Sequence, residues 1–357
     1  MITLEKTAFL NGIKAVKSST AKVGLQPILS NIHIKCIGQA LELTATDLNS
    51  SARTIVEANI GVTPIDVCVN AEKLENIVAR LGEVITLELK DAFLEIKSGK
   101  TRFNCLTLNP EDYPEVKFDI EGEALALPME DFVNGINKTI FATSPEVLNV
   151  LNGVCFTFGQ DGYEFASADG NRLCQIKFEG SVGKEGQYII PRKTLLDVAK
   201  NSNDEVKICL GNKDVVFQIG STFFKTRLIN GVFPKYQQLI PQNQPFNATI
   251  KRDELIKALE KVAIMCDERT SITVFNFKNN ELNIVTSCEN GNAEDNLEIW
   301  FEGELKIAFN YRYLLEGIKA MTTEDITFCM NNALSACVIK SDDNFTFLAM
   351  PMQLRNE

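Results

Sequence analysis

The sequence predicts an α+β protein built from three repeats, each with two helices packed on antiparallel sheet. Three observations support this. The phrase LELTATDLN (41–49) returns as YEFASADGNRL (163–173) and as LNIVTSCENGN (282–292). An alternating apolar strand precedes each copy. A second phrase, SGKTRFNCLTLNPEDYPE (98–115), recurs as 219–236 and, more loosely, as 341–352. A period of roughly 120 residues is a whole domain rather than a solenoid unit. We therefore expect three domains, at 1–122, 123–244 and 245–357.

The elements follow one order in each third: strand, helix, strands, helix, strands. The first helices carry apolar residues at helical spacing, as at Phe9, Ile13 and Val16, and are expected at 7–18, 129–142 and 252–265. The second helices start beside Asn70, Pro191 and Asn310 and are expected at 71–82, 191–201 and 310–321. Alternating strands lie between them, among them 31–38, 92–99, 153–159, 214–220, 272–278 and 335–340. Charge or amide clusters predict linkers near 121–123 and 242–244.

Composition and charge limit the class of protein. The chain has 357 residues, of which 45% are hydrophobic, enough for two or three globular cores. The net charge of −11 argues against nucleic-acid binding over the general surface, because phosphate contacts need Lys and Arg. The charge is uneven, however, since the six predicted helices with their flanks are together net positive. Basic helices on an acidic body indicate one surface that meets DNA, unless they are solvated helix faces that happen to be basic.

Cysteine usage and the N-terminus indicate the compartment. The ten cysteines are scattered singly, without a CxxC pair, so we expect reduced thiols rather than disulfides or a metal site. No apolar run approaches bilayer length, and the N-terminus lacks a signal-peptide pattern. These features predict a cytosolic protein.

Catalytic chemistry finds few candidates. The single histidine, His33, is interpreted as a solvent-facing strand residue, which leaves no general base for Ser-His-Asp or Cys-His catalysis. No phosphate-binding glycine loop is present. Asp47, Asp169 and Glu289 occupy equivalent places in the three repeats and are interpreted as turn residues that cap backbone N–H groups. A carboxylate metal site is the less favoured alternative. We expect no cofactor and no metal.

Five segments together resemble one family. They are ADGNRL (168–173), IIPRK (189–193), NGVFPKYQQLIP (230–241), FNYRYLLE (309–316) and FLAMPMQL (347–354). In this order, and over essentially the whole chain, they resemble the bacterial DNA polymerase III beta subunit, the replicative sliding clamp. The resemblance implies the DNA-clamp fold and a non-catalytic processivity factor of the nucleoid. It also implies a head-to-tail homodimer whose six similar domains close around duplex DNA without sequence preference.

The resemblance further implies a peptide-binding pocket. There the family takes short linear motifs of the polymerase III catalytic subunit, the clamp loader, other polymerases and repair proteins. The matching positions here are Leu151, Ala168, Gly170, Asn171, Arg172, Leu173, Pro234, Gln238, Leu239, Asn310, Tyr313, Leu334, Ala336, Leu348, Ala349, Met350, Pro351, Met352, Gln353 and Leu354. Leu, Met and Pro would form an adaptable apolar groove, with Arg172, Asn310 and Tyr313 as fixed polar contacts. The same Leu and Met positions could instead be plain core. The chain departs from the family pattern at Ala168, Asn171, Thr270 and Gln353 and extends past its usual end by residues 355–357.

Two further surfaces are expected. Arg192 and Lys193 match a family motif and should face DNA. Helix charge adds Lys6, Lys14, Lys17, Lys22, Lys73, Arg80, Lys138, Lys200, Lys257, Lys261, Arg312 and Lys319. Twelve helices about 8–10 Å apart would leave a hole roughly 24 Å wide, enough for a duplex. At the dimer seam the resemblance places Phe103 and Cys105 against Ile264 and Met265. There Lys97, Lys100 and Arg102 would face Glu294, Asp295 and Glu298.

Two other functions remain open from the sequence alone. One is a carboxylate-metal nuclease or transferase that uses Asp47 and Asp169. The other is a non-replicative scaffold that binds peptides and never encircles DNA. Turnover with added Mg²⁺ would favour the first, and failure to stay on circular DNA after loading would favour the second.

Overall fold

The computed structural model describes residues 1–354 except 22, 23, 25, 120–123, 147, 148, 202–204, 242, 243, 342 and 343. The first third begins with a strand and a helix and ends with a three-stranded meander. Its elements are β1 (Ile2–Glu5), α1 (Lys6–Lys17), β2 (Asn31–Ile37), β3 (Ala40–Thr46), β4 (Ser50–Glu57), β5 (Asn59–Ile60), β6 (Asp66–Asn70), α2 (Ala71–Val78), β7 (Val84–Lys90), β8 (Phe93–Ser98) and β9 (Thr101–Leu108).

The second and third thirds repeat this order without the short β5. The second third contains β10 (Leu125–Pro128), α3 (Met129–Thr139), β11 (Gly153–Phe158), β12 (Gly162–Ala168), β13 (Arg172–Glu179), β14 (Gly186–Pro191), α4 (Arg192–Ala199), β15 (Glu205–Leu210), β16 (Asp214–Ile219) and β17 (Thr222–Arg227). The last third contains β18 (Phe246–Lys251), α5 (Arg252–Val262), β19 (Ile272–Lys278), β20 (Glu281–Cys288), β21 (Gly291–Glu298), β22 (Glu304–Asn310), α6 (Tyr311–Ala320), β23 (Asp325–Met330), β24 (Cys337–Lys340) and β25 (Phe345–Ala349). The threefold repeat and the α+β class are confirmed.

The helices form because each buries an apolar stripe. In α1 the predicted stripe of Phe9, Ile13 and Val16 is fully buried, and the helix packs on β3 and β4. Side-chain caps start two of the second helices: Asn70 accepts from the N–H of Lys73, and Asn310 accepts from that of Arg312. The predicted ends at 142 and 265 are too long for α-helix, because Ile140–Ala142 and Ala263–Met265 are single 3-10 turns.

By contacts within the chain, the described residues divide into two compact units. One unit contains Met1–Phe132 and Lys193–Leu228, and the other contains Val133–Arg192 and Ile229–Glu357. The second repeat is divided because its halves pair with different neighbours. In the first unit β17 pairs with β4, whereas in the second unit β13 pairs with β25, both antiparallel. Residues of the predicted linkers lie outside the described residues, apart from Gln244.

The first unit contains one antiparallel sheet of thirteen strands, in the order β10-β15-β16-β17-β4-β3-β2-β6-β9-β8-β7-β1-β5. The second unit contains an eight-stranded sheet, β14-β11-β12-β13-β25-β24-β23-β18, and a four-stranded sheet, β21-β20-β19-β22. Alternate side chains of each strand point to one face, so a row of paired residues crosses several strands on the same face. The candidate site lies on such a face of the eight-stranded sheet.

No helix among the described residues is both long and apolar enough to cross a membrane.

Candidate functional site

A tight turn between β12 and β13 begins the candidate site. Asp169 Oδ1 accepts from the N–H groups of Asn171, at 2.9 Å, and Arg172, at 3.1 Å. Gly170 has φ +91°, a left-handed conformation that glycine adopts without steric cost. At the equivalent turn of the first repeat, Asp47 Oδ1 accepts from the N–H groups of residues 49 and 50. The interpretation of these aspartates as turn residues is confirmed, and Glu289 lies in the third equivalent turn, between β20 and β21.

Four neighbouring strands form the floor of the site. Ala168 of β12 faces Leu173 of β13, Leu173 faces Leu348 of β25, and Leu348 faces Val338 of β24. The four side chains lie in one row on one face of the sheet and are at most 9% exposed. We call these four residues the apolar floor. Three of them come from the ADGNRL and FLAMPMQL segments, which lie far apart in sequence and meet because β13 pairs with β25.

Residues 233–240 cover one side of the apolar floor, and we call them the wall segment. Phe233 and Tyr236 are buried in the same cluster as the floor, together with Cys155, Ala166, Ile189 and Cys329. Tyr236 starts a single 3-10 turn that runs to Leu239. In contrast, Pro234, Gln238 and Leu239 remain exposed, so the wall segment turns one side to the core and the other to solvent.

The rim of the site exposes large apolar side chains. Leu334 is 68% exposed, Leu239 57%, Met350 42% and Leu354 38%. The main chain around Met350 is nevertheless fixed, because its N–H donates to Asn171 O at 2.8 Å. Apolar side chains on a fixed backbone beside a buried apolar floor form a surface suited to an apolar ligand. The remaining pocket positions, Leu151, Ala336, Ala349, Pro351, Met352 and Gln353, lie in the same unit, with Leu151 and Ala336 packed against the cluster.

Arg172 is the most constrained polar side chain of the site. It is 8% exposed, and its Nε donates to Asp169 Oδ2 at 2.9 Å. One terminal nitrogen donates to Glu316 and the other to Phe141 O, the latter at 2.5 Å. Burial would lower the pKa of Arg172, but the carboxylates of Glu316 and Asp169 outweigh burial and raise that pKa. Its guanidinium carbon also lies 4.4 Å from the ring centroid of Tyr313. The guanidinium therefore joins β13 to α6 inside the chain.

Several members of the site were not predicted. Phe233, Tyr236, Ile189, Cys155 and Val338 belong to the cluster but were missed among the site positions. Strand alternation was the available signal for Val338, because residues 335–340 were already predicted as a strand. The Cys155 thiol is neutral, since burial raises its pKa to about 12, and it acts as a small apolar side chain.

The candidate DNA-facing residues differ in exposure and in whether they form ion pairs within the chain. Those that the structure describes as exposed are Lys14, Lys73, Arg80, Lys193, Lys200, Lys257, Lys261, Arg312 and Lys319. Lys6, Lys17 and Arg192 are half-buried, and Lys22 lies outside the described residues. Five of the lysines have a carboxylate partner within the chain: Lys17 with Glu75, Lys193 with Asp47, Lys200 with Asp197, Lys261 with Asp295 and Lys319 with Glu260.

The prediction is wrong for Lys138. Its side chain is only 4% exposed, and its ammonium lies 5.4 Å from the ring centroid of Phe345. The position follows Gly135 and Ile136 on the buried side of α3, so its long stem runs along apolar surface. Lys138 therefore stabilises the interior and is not available to a DNA phosphate.

The predicted seam residues lie on β8, on β9 and the turn before it, on the 3-10 turn Ala263–Met265 and on β21. Both β9 and β21 have an edge without a partner strand. Over Thr101–Leu106, β9 pairs on one side only, with β8, and β21 pairs only with β20 in the part of the chain that the structure describes. Phe103 is 36% exposed and Ile264 is 81% exposed. Cys105 is buried, Met265 and Asp295 are half-buried, and Lys100, Glu294 and Glu298 are exposed.

A buried carboxylate already binds part of the basic seam group. Glu95 is 3% exposed, with Lys97 at 2.5 Å, Lys90 at 2.7 Å and Arg102 at 2.9 Å. Hydrogen bonds from the two lysines lower the pKa of Glu95 to about 2. Lys97 and Arg102 therefore keep their positive charges in fixed positions on β8 and β9.

The groups that could support catalysis are committed to structure. His33 is half-buried rather than freely solvent-facing: its Nε2 lies 2.6 Å from Asp66 Oδ1, and its ring lies 5.4 Å from that of Tyr113. Within the described ranges, no group of three or more His, Cys, Asp or Glu side chains is arranged to hold a metal ion. All ten cysteines are free thiols.

Three family models match consecutive parts of the chain. They are the N-terminal, central and C-terminal domains of the DNA polymerase III beta subunit, at residues 1–117, 126–235 and 237–355. A curated relative, the beta sliding clamp of Synechococcus elongatus, is 31% identical over 92% of this chain and 93% of its own.

Solved sliding clamps share the fold. The Pseudomonas aeruginosa clamp bound to griselimycin is 27% identical, covers 99% of both chains and superimposes with a TM-score of 0.92. The Bartonella birtlesii clamp bound to griselimycin is also 27% identical at 99% coverage of both chains, with a TM-score of 0.93.

Proposed function

The chain belongs to the DNA polymerase III beta subunit family and is a sliding clamp, and we propose that two copies close head to tail around duplex DNA and hold partner proteins at the apolar floor. A clamp is a processivity subunit without chemistry of its own. The observation that carries the site is the row from Ala168 to Val338, which unites two family segments into one apolar surface. A nuclease is not favoured, because the Asp47 and Asp169 carboxylates hold turns and ion pairs.

The internal repeat supports the ring. At two junctions between repeats, the strand after the aspartate turn pairs with the last strand of the next repeat. These pairs are β4, after Asp47, with β17 and β13, after Asp169, with β25. The equivalent strand of the third repeat is β21, and the equivalent last strand of the first repeat is β9. In the described chain β21 has an open edge, and β9 has one over Thr101–Leu106. A second copy supplies the missing partner for each, so the contact is head to tail and closes by rotation.

The repeat also supports one register for this seam. Ser50 faces Thr226 and Arg53 faces Phe223 at the first junction. In the repeat, Asp47 is equivalent to Glu289 and Thr222 is equivalent to Thr101. If the seam has the register of the first junction, Glu294 lies opposite the partner's Phe103. This register also sets Asp295 opposite Arg102 of the partner subunit. An Asp295–Arg102 ion pair near the surface contributes only about 0–1 kcal/mol, so strand pairing and the apolar side chains Phe103, Cys105, Ile264 and Met265 dominate the contact.

The exposed helix lysines and arginines support loose DNA contact. Five of the candidate lysines share their charge with a carboxylate of the same chain. Weak, sequence-independent phosphate contacts permit sliding, and the closed ring rather than affinity retains the clamp. We propose that this activity takes place on nucleoid DNA in the cytoplasm. We also propose domain limits at 1–122, 123–244 and 245–357.

The apolar floor and its rim support peptide binding. Leu239, Leu334 and Met350 give a groove whose flexible side chains can fit ligands of different shape. Griselimycin is bound by two relatives that share the fold. We propose that the same site takes the short linear motifs of the polymerase III catalytic subunit, the clamp loader, other polymerases and repair proteins.

Retention on DNA tests the clamp function. The protein is loaded by a polymerase III clamp loader onto nicked circular DNA, and bound protein is measured by gel filtration before and after linearisation. The expected result is retention on the circle and loss on cutting, because only topology holds the ring. Phe103→Asp with Ile264→Asp should abolish retention, whereas Val62→Asp, a fully exposed loop change, should not. Equal retention on circular and linear DNA would refute the ring.

A further inference from the structure

A carboxylate beside the apolar floor holds the wall segment. The Tyr236 hydroxyl donates to Glu164 Oε1, and Gln237 Nε2 reaches the same oxygen at 3.3 Å. Gln175 Nε2 donates to the other oxygen, Oε2, at 2.6 Å. Tyr236 is 1% exposed and Gln175 4%, whereas Glu164 is half-buried and Gln237 is exposed, so the network runs from the buried cluster to the surface. The motifs of the family resemblance include Tyr236 but not Glu164 or Gln175.

The sheet places Glu164 on the same face as the floor. Glu164, Ala166 and Ala168 alternate along β12 and therefore point to one side. Gln175 faces Ala166 across the strands, in the row next to the floor. Tyr236 packs with Ala166 in the buried cluster and extends its hydroxyl to the next row, where Glu164 lies.

Two hydrogen bonds to the sheet lie on either side of the wall segment. Before it, the N–H of Ile229 donates to Ile189 O at 2.9 Å; after it, Gln244 Nε2 donates to Cys329 O at 2.6 Å. Between these points the 3-10 turn has no side-chain cap. The burial of Phe233 and Tyr236 and the Tyr236–Glu164 hydrogen bond hold its middle against the sheet.

We propose that Glu164 is a positioning residue of the peptide-binding site: it fixes Tyr236 and so sets the place of Pro234, Gln238 and Leu239 beside the apolar floor. A hydrogen bond to an ionised acceptor is roughly twice as strong as a neutral one. Burial, with Glu164 as the second cause, raises the pKa of Tyr236, so the hydroxyl keeps its proton and remains a donor. A pre-positioned wall binds a ligand more tightly, because less ordering is needed on binding. The inference rests on the proposed function, since it assigns a role within the peptide site.

The test compares griselimycin affinity by calorimetry in the full-length dimer. Glu164→Ala should weaken binding about tenfold, the loss typical of one hydrogen bond to a charged group. Glu164→Gln keeps an acceptor and should stay within about threefold of the wild type. Tyr236→Phe removes only the donor and should weaken binding to a similar extent as Glu164→Ala. The double variant should lose less than the sum of the two single losses, because the Tyr236–Glu164 hydrogen bond is counted in both. Glu179→Ala, an exposed change on β13, is the matched control.

Three results would overturn the proposal: unchanged affinity in Glu164→Ala, no rescue by Glu164→Gln, or additive losses in the double variant. Tyr236→Phe keeps the test valid if Glu164→Ala fails to fold. Met350→Ala separates this inference from the proposed function. If Met350→Ala weakens griselimycin and Glu164→Ala does not, the site stands and the role of Glu164 falls. If the wild type does not bind griselimycin, the site itself is refuted, and the inference with it.

Discussion

Some side chains at the candidate site stabilise the fold, and others are exposed and available to a ligand. Arg172 and Asn310 were expected to offer polar contacts to a peptide. The Arg172 guanidinium is occupied by Asp169, Glu316 and Phe141 O, and Asn310 caps α6. Their part in ligand recognition remains a prediction. Within the described chain, Arg172 links β13 to α6 and Asn310 caps the start of α6, the helix that carries Tyr313. We expect ligand contact mainly from exposed apolar side chains such as Leu334 and Met350.

Glu95 gives a prediction at the residue scale. Because Lys90 and Lys97 lower its folded pKa to about 2, below the ordinary value of 4.5, its ionised form stabilises the folded protein. That contribution is present above about pH 4.5 and is lost as the pH falls towards 2. Glu95→Gln should therefore lower the urea unfolding midpoint at pH 7, and the deficit should shrink between pH 4.5 and pH 3. Glu83→Gln, an exposed change nearby, should show no such trend. A constant deficit across this range would contradict the assignment.

Among secondary-structure elements, local patterns predicted most of the fold. Strands such as β11 and β19 end within a residue of their expected limits, because alternation reports directly which side chains are buried. The helix ends were less well predicted. Side-chain burial continues through Ile140, but the backbone changes to 3-10 hydrogen bonding, with the N–H of Thr143 donating to Ile140 O. Apolar spacing does not report that change.

Long-range partners account for what the elements alone could not predict. Tyr236 bonds to Glu164 and Arg172 bonds to Glu316, pairs that are 72 and 144 residues apart. No local pattern links such positions. The buried state of Lys138 was missed for the same reason, since its neighbour Phe345 comes from another repeat. The resemblance supplied the site positions, whereas propensity and spacing alone would have assigned Leu173 and Leu348 to ordinary core.

Pairing of β9 with β21 of a second copy gives a prediction at the element scale. Phe103→Cys and Glu294→Cys lie directly opposite in the proposed register, where Cα atoms about 4.5–5.5 Å apart permit a disulfide. Mild oxidation of the double variant should convert most of the chain to covalent dimer on a non-reducing gel. Neither single variant should do so.

A register shift serves as the control. Asn104→Cys with Glu294→Cys is out by one residue, so the two side chains should point to opposite faces and cross-link poorly. Efficient cross-linking of this pair, and not of the first, would show that the repeat does not set the register of the seam.

At the scale of the whole molecule, the chain forms two compact units. Strand pairing across repeats divides the second repeat between the units, so each of its halves has a neighbour. In the described chain β9 is unpaired on one side over Thr101–Leu106 and β21 is unpaired on one side, with exposed Phe103 and Ile264 nearby. Long open edges with apolar side chains favour association. The head-to-tail dimer remains a prediction of the resemblance, and the open edges give a physical reason to expect it.

Solution mass therefore tests the assembly as a whole. Light scattering across a dilution series should give a mass near twice 39.7 kDa, maintained to low concentration. In the proposed dimer, two identical seams hold the ring together. Dissociation to single chains requires the loss of both seams, so the affinity of the dimer exceeds that of one seam. Phe103→Asp with Ile264→Asp buries charge at each seam and should shift the mass to that of the single chain. Val62→Asp should leave it unchanged. A mass that grows steadily with concentration would indicate open head-to-tail filaments. The same two edges form a filament when the rotation between successive copies does not close into a ring. A monomer at every concentration would show that this chain cannot close a ring alone.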